Sequence, residues 1–153
     1  MVTAVCVFSA GTSLTVAGIL TFLQETPAGT TSLTGTVTGL TPGSHGLSIY
    51  EFGDFSSRCL SFGSRFDPFG SNKQTRPLGQ LGNIVAGDDG KANVHITNAQ
   101  IPLSGENSVI GRGLVVHEKA DDLGQGGDEE SLKTGNAGPR LACGVIGLAK
   151  STK

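Results

Sequence analysis

Gly111-Arg112-Gly113-Leu114-Val115-Val116-His117-Glu118-Lys119-Ala120-Asp121-Asp122 is the stretch that decides how this chain folds. Its apolar run, Leu114 to Glu118, reads as a short strand carrying His117 at its polar tip. A second stretch, His45-Gly46-Leu47-Ser48-Ile49-Tyr50-Glu51-Phe52-Gly53-Asp54, reads as its counterpart. The two deliver side chains to one place, His117 from the first and Ser48 and Tyr50 from the second.

Outward from this pair, the chain is a series of apolar runs broken by Gly-rich turns. Val2 to Phe8 is β-rich, and its Cys6 reads as a buried free thiol. Leu14 to Leu23 alternates as Leu14, Val16, Gly18, Leu20 and Phe22. Thr31 to Val37 sends Leu33 and Val37 inward. Asn83 to Ala86 and Ala92 to Thr97 flank Gly87-Asp88-Asp89-Gly90-Lys91 and read as a hairpin. Leu141 to Lys150 is the last strand and carries Cys143.

Two long segments lack periodicity, Gly53 to Gly82 and Lys119 to Arg140; loops of that length in a compact domain are functional or disordered. The first holds Cys59, and the second has room for one helical turn at Asp128 to Lys133. About eight strands result, an all-β pattern that closes as a Greek-key barrel or sandwich. A chain of 153 residues with 37% hydrophobic content suits one domain, residues 1–153.

The net charge of −2 offers nothing to a polyanion, so no nucleic-acid partner is expected. No apolar run is long enough to cross a bilayer. Met1 to Leu23 is apolar but has no cationic start, and Gly11-Thr12-Ser13 interrupts it. We read two strands there and expect a cytoplasmic chain without a cleaved leader. Three cysteines allow one pair and leave one over.

At this point the motifs resemble a known family. His45 to Asp54 is similar to the first signature of the copper,zinc superoxide dismutases. Gly135-Asn136-Ala137-Gly138-Pro139-Arg140-Leu141-Ala142-Cys143-Gly144-Val145-Ile146 is similar to the second. Val115 to Gly124 and Gly79-Gln80-Leu81-Gly82-Asn83 match as well. The resemblance covers essentially the whole chain. It implies an eight-stranded Greek-key barrel, related to immunoglobulin-like sandwiches, with two long loops and an intrasubunit disulfide between Cys59 and Cys143.

The resemblance also implies a metal cage that this sequence does not repeat. In the family, copper takes histidines only, and zinc takes histidines and an aspartate, with one imidazole bridging the two. Here the first two copper positions fall on Ser48 and Tyr50, and the bridging position on Arg65. The last copper position, His117, alone keeps its histidine. The remaining zinc histidines fall near Gln74 and Pro77, and the zinc aspartate becomes Gln80. Hydroxyl and phenol are poor copper donors, and a guanidinium cannot be a ligand. Copper and zinc sites are therefore expected to be lost.

Other positions keep the family's residues. Arg140 matches the arginine that guides anions, and Glu129, Glu130, Lys133 and Thr134 match the electrostatic loop. Asp121 matches the aspartate that links the two metal sites. These residues either still bind a small anion or simply hold the loop closed. Arg65 either neutralises Asp67 or Asp121, as a clamp between loops, or points to solvent. Tyr50 is expected to fill the vacated pocket, His45 to tie strand to loop, and His95 to lie at the surface.

Val5, Val7, Gly53, Ile110, Gly111, Gly147 and Leu148 match the family's dimer face and stay small or apolar. The expectation is a catalytically inactive, metal-free homodimer that acts by binding at this face. Candidate partners are itself, a dismutase subunit or a copper chaperone. The alternative is a dismutase with weak residual activity or an unusual metal site.

Overall fold

In the computed structural model, which describes residues 1–70 and 77–150, the alternating runs become strands. These are β1 (Val2–Ala10), β2 (Ala17–Gln24), β3 (Thr31–Thr38), β4 (Gly43–Tyr50), β5 (Ser56–Cys59), β6 (Gln80–Ala86), β7 (Ala92–Ala99), β8 (Gly113–His117), β9 (Arg140–Val145) and β10 (Gly147–Leu148). The helical content of the described residues is a 3-10 turn at Leu60–Phe62 and one short helix, α1 (Glu129–Thr134).

The ladder runs β6-β4-β8-β9-β1-β2-β3-β7, with β10 added on β1, and its pairings are antiparallel. β1 serves both halves of the barrel. Its residues Val2 to Phe8 pair with β2, while Ser9 and Ala10 pair with Cys143 and Ala142 of β9. That change of partner curls the sheet into a nearly closed Greek-key barrel.

Alternation fills the interior. Ala4, Cys6, Phe8, Leu20, Phe22, Leu33, Val37, Leu47, Ile49, Leu114 and Val116 form the main core. Each fully buried large side chain contributes about 1.5–3 kcal/mol. Cys6 is the buried free thiol expected, its pKa pushed up to about 12 by burial. Val7, on the opposite face of β1, is 57% exposed.

Four local expectations are corrected. The Asn83 to Thr97 hairpin does not form as a pair: β6 pairs with β4 and β7 with β3. The five-residue link instead crosses between the two ends of the ladder. Its Gly87 N–H donates to Lys91 O at 3.1 Å, and Leu40 N–H donates to Gly90 O at 3.1 Å. Leu14 does not point inward; the strand begins at Ala17, leaving Leu14 exposed before it. The segment from Gly53 contains β5 and the 3-10 turn, and β6 begins at Gln80. The last strand is broken between Val145 and Gly147, because Ile146 bonds Arg112 and Gly111 through its backbone instead.

The wall made by β4, β8 and β9 is buried on both sides at its centre. Every residue of β8 is buried. Leu114 and Val116 face the main core, while Val115 joins Tyr50, Cys59, Phe62 and Cys143 in a second cluster beneath the long loops. A Cβ on Gly113 would overlap the Phe62 ring, so the glycine in this β-branched run is what seats the loop.

Candidate functional site

Ser48, Tyr50 and His117 come together on the loop-covered outer face of β4 and β8, as the sequence led us to expect. All three are buried. Arg65 is brought beside them by a bridge between Tyr50 and Arg65. Around that bridge, Glu51 N–H donates to Ser64 O at 2.8 Å and Phe66 N–H donates to Ile49 O at 2.8 Å. The first loop is thus laid along the end of β4 as if it were another strand.

The tip of the site is a hydrogen-bonded pair. His117 Nδ1–H donates to Gly138 O at 2.9 Å, which leaves Nε2 as the acceptor. The Tyr50 hydroxyl donates to that Nε2 at 3.0 Å. Burial holds the Tyr50 phenol above its ordinary range, against the pull of Arg140 and Arg65. Burial holds the His117 imidazole below its ordinary range, against the Gly138 hydrogen bond. A neutral imidazole capped by a neutral phenol follows from both. Beneath them, fully buried His45 donates from Nδ1 to His117 O at 2.9 Å, with its Nε2 2.7 Å from Thr41 O. His95 is exposed on β7.

Arg65 resolves the choice of partner. Its Nη2 lies 3.2 Å from Asp121 Oδ2, with side-chain exposures of 3% and 0%. The two are close but out of line. Among the described residues, Arg65 Nε and Nη2, Asp121 Oδ2 and Ser48 Oγ are buried without a hydrogen-bond partner. Asp121 Oδ1 accepts from Leu123 N–H at 2.8 Å and from the Gln80 amide at 3.3 Å. Asn83, to which the sequence reading gave no role, clasps the Asp121 backbone through both its amide atoms, at 2.7 and 3.0 Å. Its place in the Gly79 to Asn83 motif was the available signal.

The second loop is folded upon its own carboxylates. Asp128 caps α1 by accepting from Ser131 N–H at 2.8 Å. Gly135, at φ 68°, ends the helix, and a Cβ there would overlap the Asp121 carboxylate. Asp122 accepts from the Ser131 hydroxyl at 2.6 Å and from Asn136 at 2.9 Å. Desolvation pushes its carboxyl up, but these bonds, the Gly124 N–H and the Arg65 charge leave it below the usual range.

Arg140 is hydrogen-bonded to the first loop. Its guanidinium donates to Cys59 O at 2.6 Å and Gly63 O at 2.8 Å, and lies 4.3 Å from the centroid of the Tyr50 ring. Cys59 is bonded to Cys143 of the same strand, with Cα atoms 5.8 Å apart. Outside these contacts is a cavity of about 660 Å³. Its lining includes three cations, Arg65, Lys133 and Arg140, and three anions, Glu51, Asp67 and Glu129. Pro77 is buried at its edge, and Gln80 is buried beside Asp121. Gln74 lies outside the described residues.

The residues proposed for a dimer face adjoin one another. Val5 pairs with Gly147, and Ala4 with Leu148. Gly111 N–H donates to Ile146 O at 2.7 Å, and Gly53 packs against Gly111 and Val145. Val7 and Leu148 are exposed there, while Ile110 is partly buried against the core.

A Greek-key barrel with two long loops, one bonded to the wall by a disulfide and both folded over a histidine, defines the superoxide dismutase class of barrels. The chain belongs to the copper/zinc superoxide dismutase family, whose model matches residues 16–146. It is 51% identical over 142 residues to an extracellular Cu-Zn superoxide dismutase of Onchocerca volvulus, covering 88% of this chain and 71% of that protein. The expectation of a cytoplasmic chain is corrected by this relative, which is named as extracellular. No helix among the described residues is long and apolar enough to cross a membrane.

The family binds copper and zinc, and the residues of this site do not fit either ion. His117 alone keeps an imidazole at a metal-ligand position, since His45 spends its ring nitrogens on backbone oxygens, and the free nitrogen of His117 already accepts from Tyr50. A buried guanidinium stands beside it, and the amide of Gln80 offers a neutral oxygen. Among the described residues no group of three or more His, Cys, Asp or Glu is placed to hold an ion.

Proposed function

We propose that this protein is a dismutase-fold binding protein that does not dismutate superoxide. It works outside the cell, as its relative is named to do, through the apolar face at Val7, Gly111 and Leu148. The observation that carries this reading is the Tyr50–His117 pair beside the Arg65 guanidinium. Dismutation in this family is a copper cycle between two oxidation states, and copper needs imidazole donors. A divalent ion at ~4 Å from a guanidinium meets about 8 kcal/mol of repulsion at an effective dielectric of ~20, before any carboxylate offsets it.

The test is direct. Protein purified, then loaded with copper and zinc and desalted, is expected to hold well under one copper per chain and to consume no superoxide above buffer. Stoichiometric copper with superoxide consumption would overturn the reading and restore the enzyme.

A further inference from the structure

We infer that Arg65 is a built-in cation that ties the two long loops together, the task bound ions perform elsewhere. Metal ions in small domains stabilise by joining segments that would otherwise separate. Here the segments are residues 53–79 and 118–139. Arg65 comes from the first and Asp121 from the second, and they form a buried ion pair at 3.2 Å.

Each partner is fixed by its own loop and by the barrel. Arg65 is pinned to Tyr50 through the backbone bridge. Asp121 is held by Asn83 and Gln80 of β6, by its own loop at Leu123, and by the closeness of Gly135 and Gly46. The first loop, the second loop and β6 therefore meet at one carboxylate, and the guanidinium supplies its countercharge.

Removing one member leaves a buried charge alone, which costs far more than removing both. That asymmetry separates a clamp from an incidental pair. The orphaned atoms around it, Ser48 Oγ and Arg65 Nε, show that the surroundings are polar and imperfectly satisfied. Two buried opposite charges persist in such a place only by compensating each other. The consequence is that loop closure is encoded in the chain and does not wait for a metal.

This inference concerns loop order and stands apart from whether the protein consumes superoxide. It is tested by hydrogen exchange and urea unfolding on the intact protein. In the wild type, amide protection of residues 64–67 and 119–123 is expected to be the same in excess EDTA as in added zinc sulfate. Arg65→Met and Asp121→Asn should each lower the folding equilibrium constant on the order of 100-fold. The double variant should recover about tenfold or more over the additive expectation. Arg65→Lys, which keeps the charge, should lose less than Arg65→Met. Additive losses, or protection that EDTA strips and zinc restores, would overturn the proposal. The wild-type comparison decides even if a single variant fails to fold.

Discussion

At the scale of single residues, the decisive change is what occupies the free nitrogen of His117. A lone-pair nitrogen aimed into a buried site is what copper requires, and here the Tyr50 hydroxyl satisfies it. The arrangement has a pH signature. Burial keeps the folded-state pKa of His117 below the ordinary histidine value, so the unfolded chain takes up the proton first. Between those two values the unfolded state binds more protons, and stability must rise with pH. His117 thus contributes its full share above roughly pH 6.5 and loses it as pH falls toward its depressed folded value. The loss is at most about 1.4 kcal/mol per pH unit. Urea midpoints measured from pH 7.5 to 5 should fall on this account. The His117→Gln variant, whose amide can still donate to Gly138 and accept from Tyr50, should show a flatter profile. An unchanged slope would assign the pH dependence to other groups.

At the scale of elements, the disulfide and Arg140 act on the same strand. β9 supplies both Cys143 and Arg140, and both reach the Cys59 turn. The loop they close spans 84 residues, for which chain entropy predicts roughly 4–5 kcal/mol. Cys59→Ser with Cys143→Ser is expected to lower unfolding free energy by about that amount and to free the exchange of residues 56–66. Maleimide should label no thiol quickly in the native oxidised protein, because Cys6 is buried with its pKa about 12. Fast labelling of paired cysteines would contradict the bond. The sequence carried much of this element-level picture. Short strand-forming runs at His45 to Phe52 and Leu114 to Glu118 were enough to place the two site strands, because strand propensity is local. Strand partners were not legible in the same way. A Gly-rich turn between Ala86 and Ala92 looks identical whether it folds back or crosses the barrel end, and only distant β3 and β4 decide. Arg65 had two candidate carboxylates for a like reason. Its choice of Asp121 depends on the Tyr50 bridge and on Gly135, both remote in sequence. The seating of Phe62 against Gly113 was hidden too, since a glycine in a strand reports a close approach without naming the neighbour.

At the scale of the molecule, the proposed binding function turns attention to the surface. Val7 is 57% and Leu148 69% exposed, close to Val5, Gly53 and Gly111. Apolar side chains on a strand face beside glycines give a flat patch that another flat patch can meet closely. A second copy is the simplest such partner, because a two-fold axis sets the same patch against itself. Members of this family are typically homodimers, which supports that assignment. Val7→Glu would then place two carboxylates near one axis, with no cation among the face residues to offset them. We expect sedimentation equilibrium to give a dimer for the wild type and a dissociation constant raised about 100-fold or more by this variant. The thermal transition of the variant should depend on protein concentration less than that of the wild type, since dimerisation stabilises by mass action. A wild type that sediments as a monomer at tens of micromolar would leave the same patch for a different chain. Mixing with a metallated member of the family, and reading the mass of the complex, would then decide between the two.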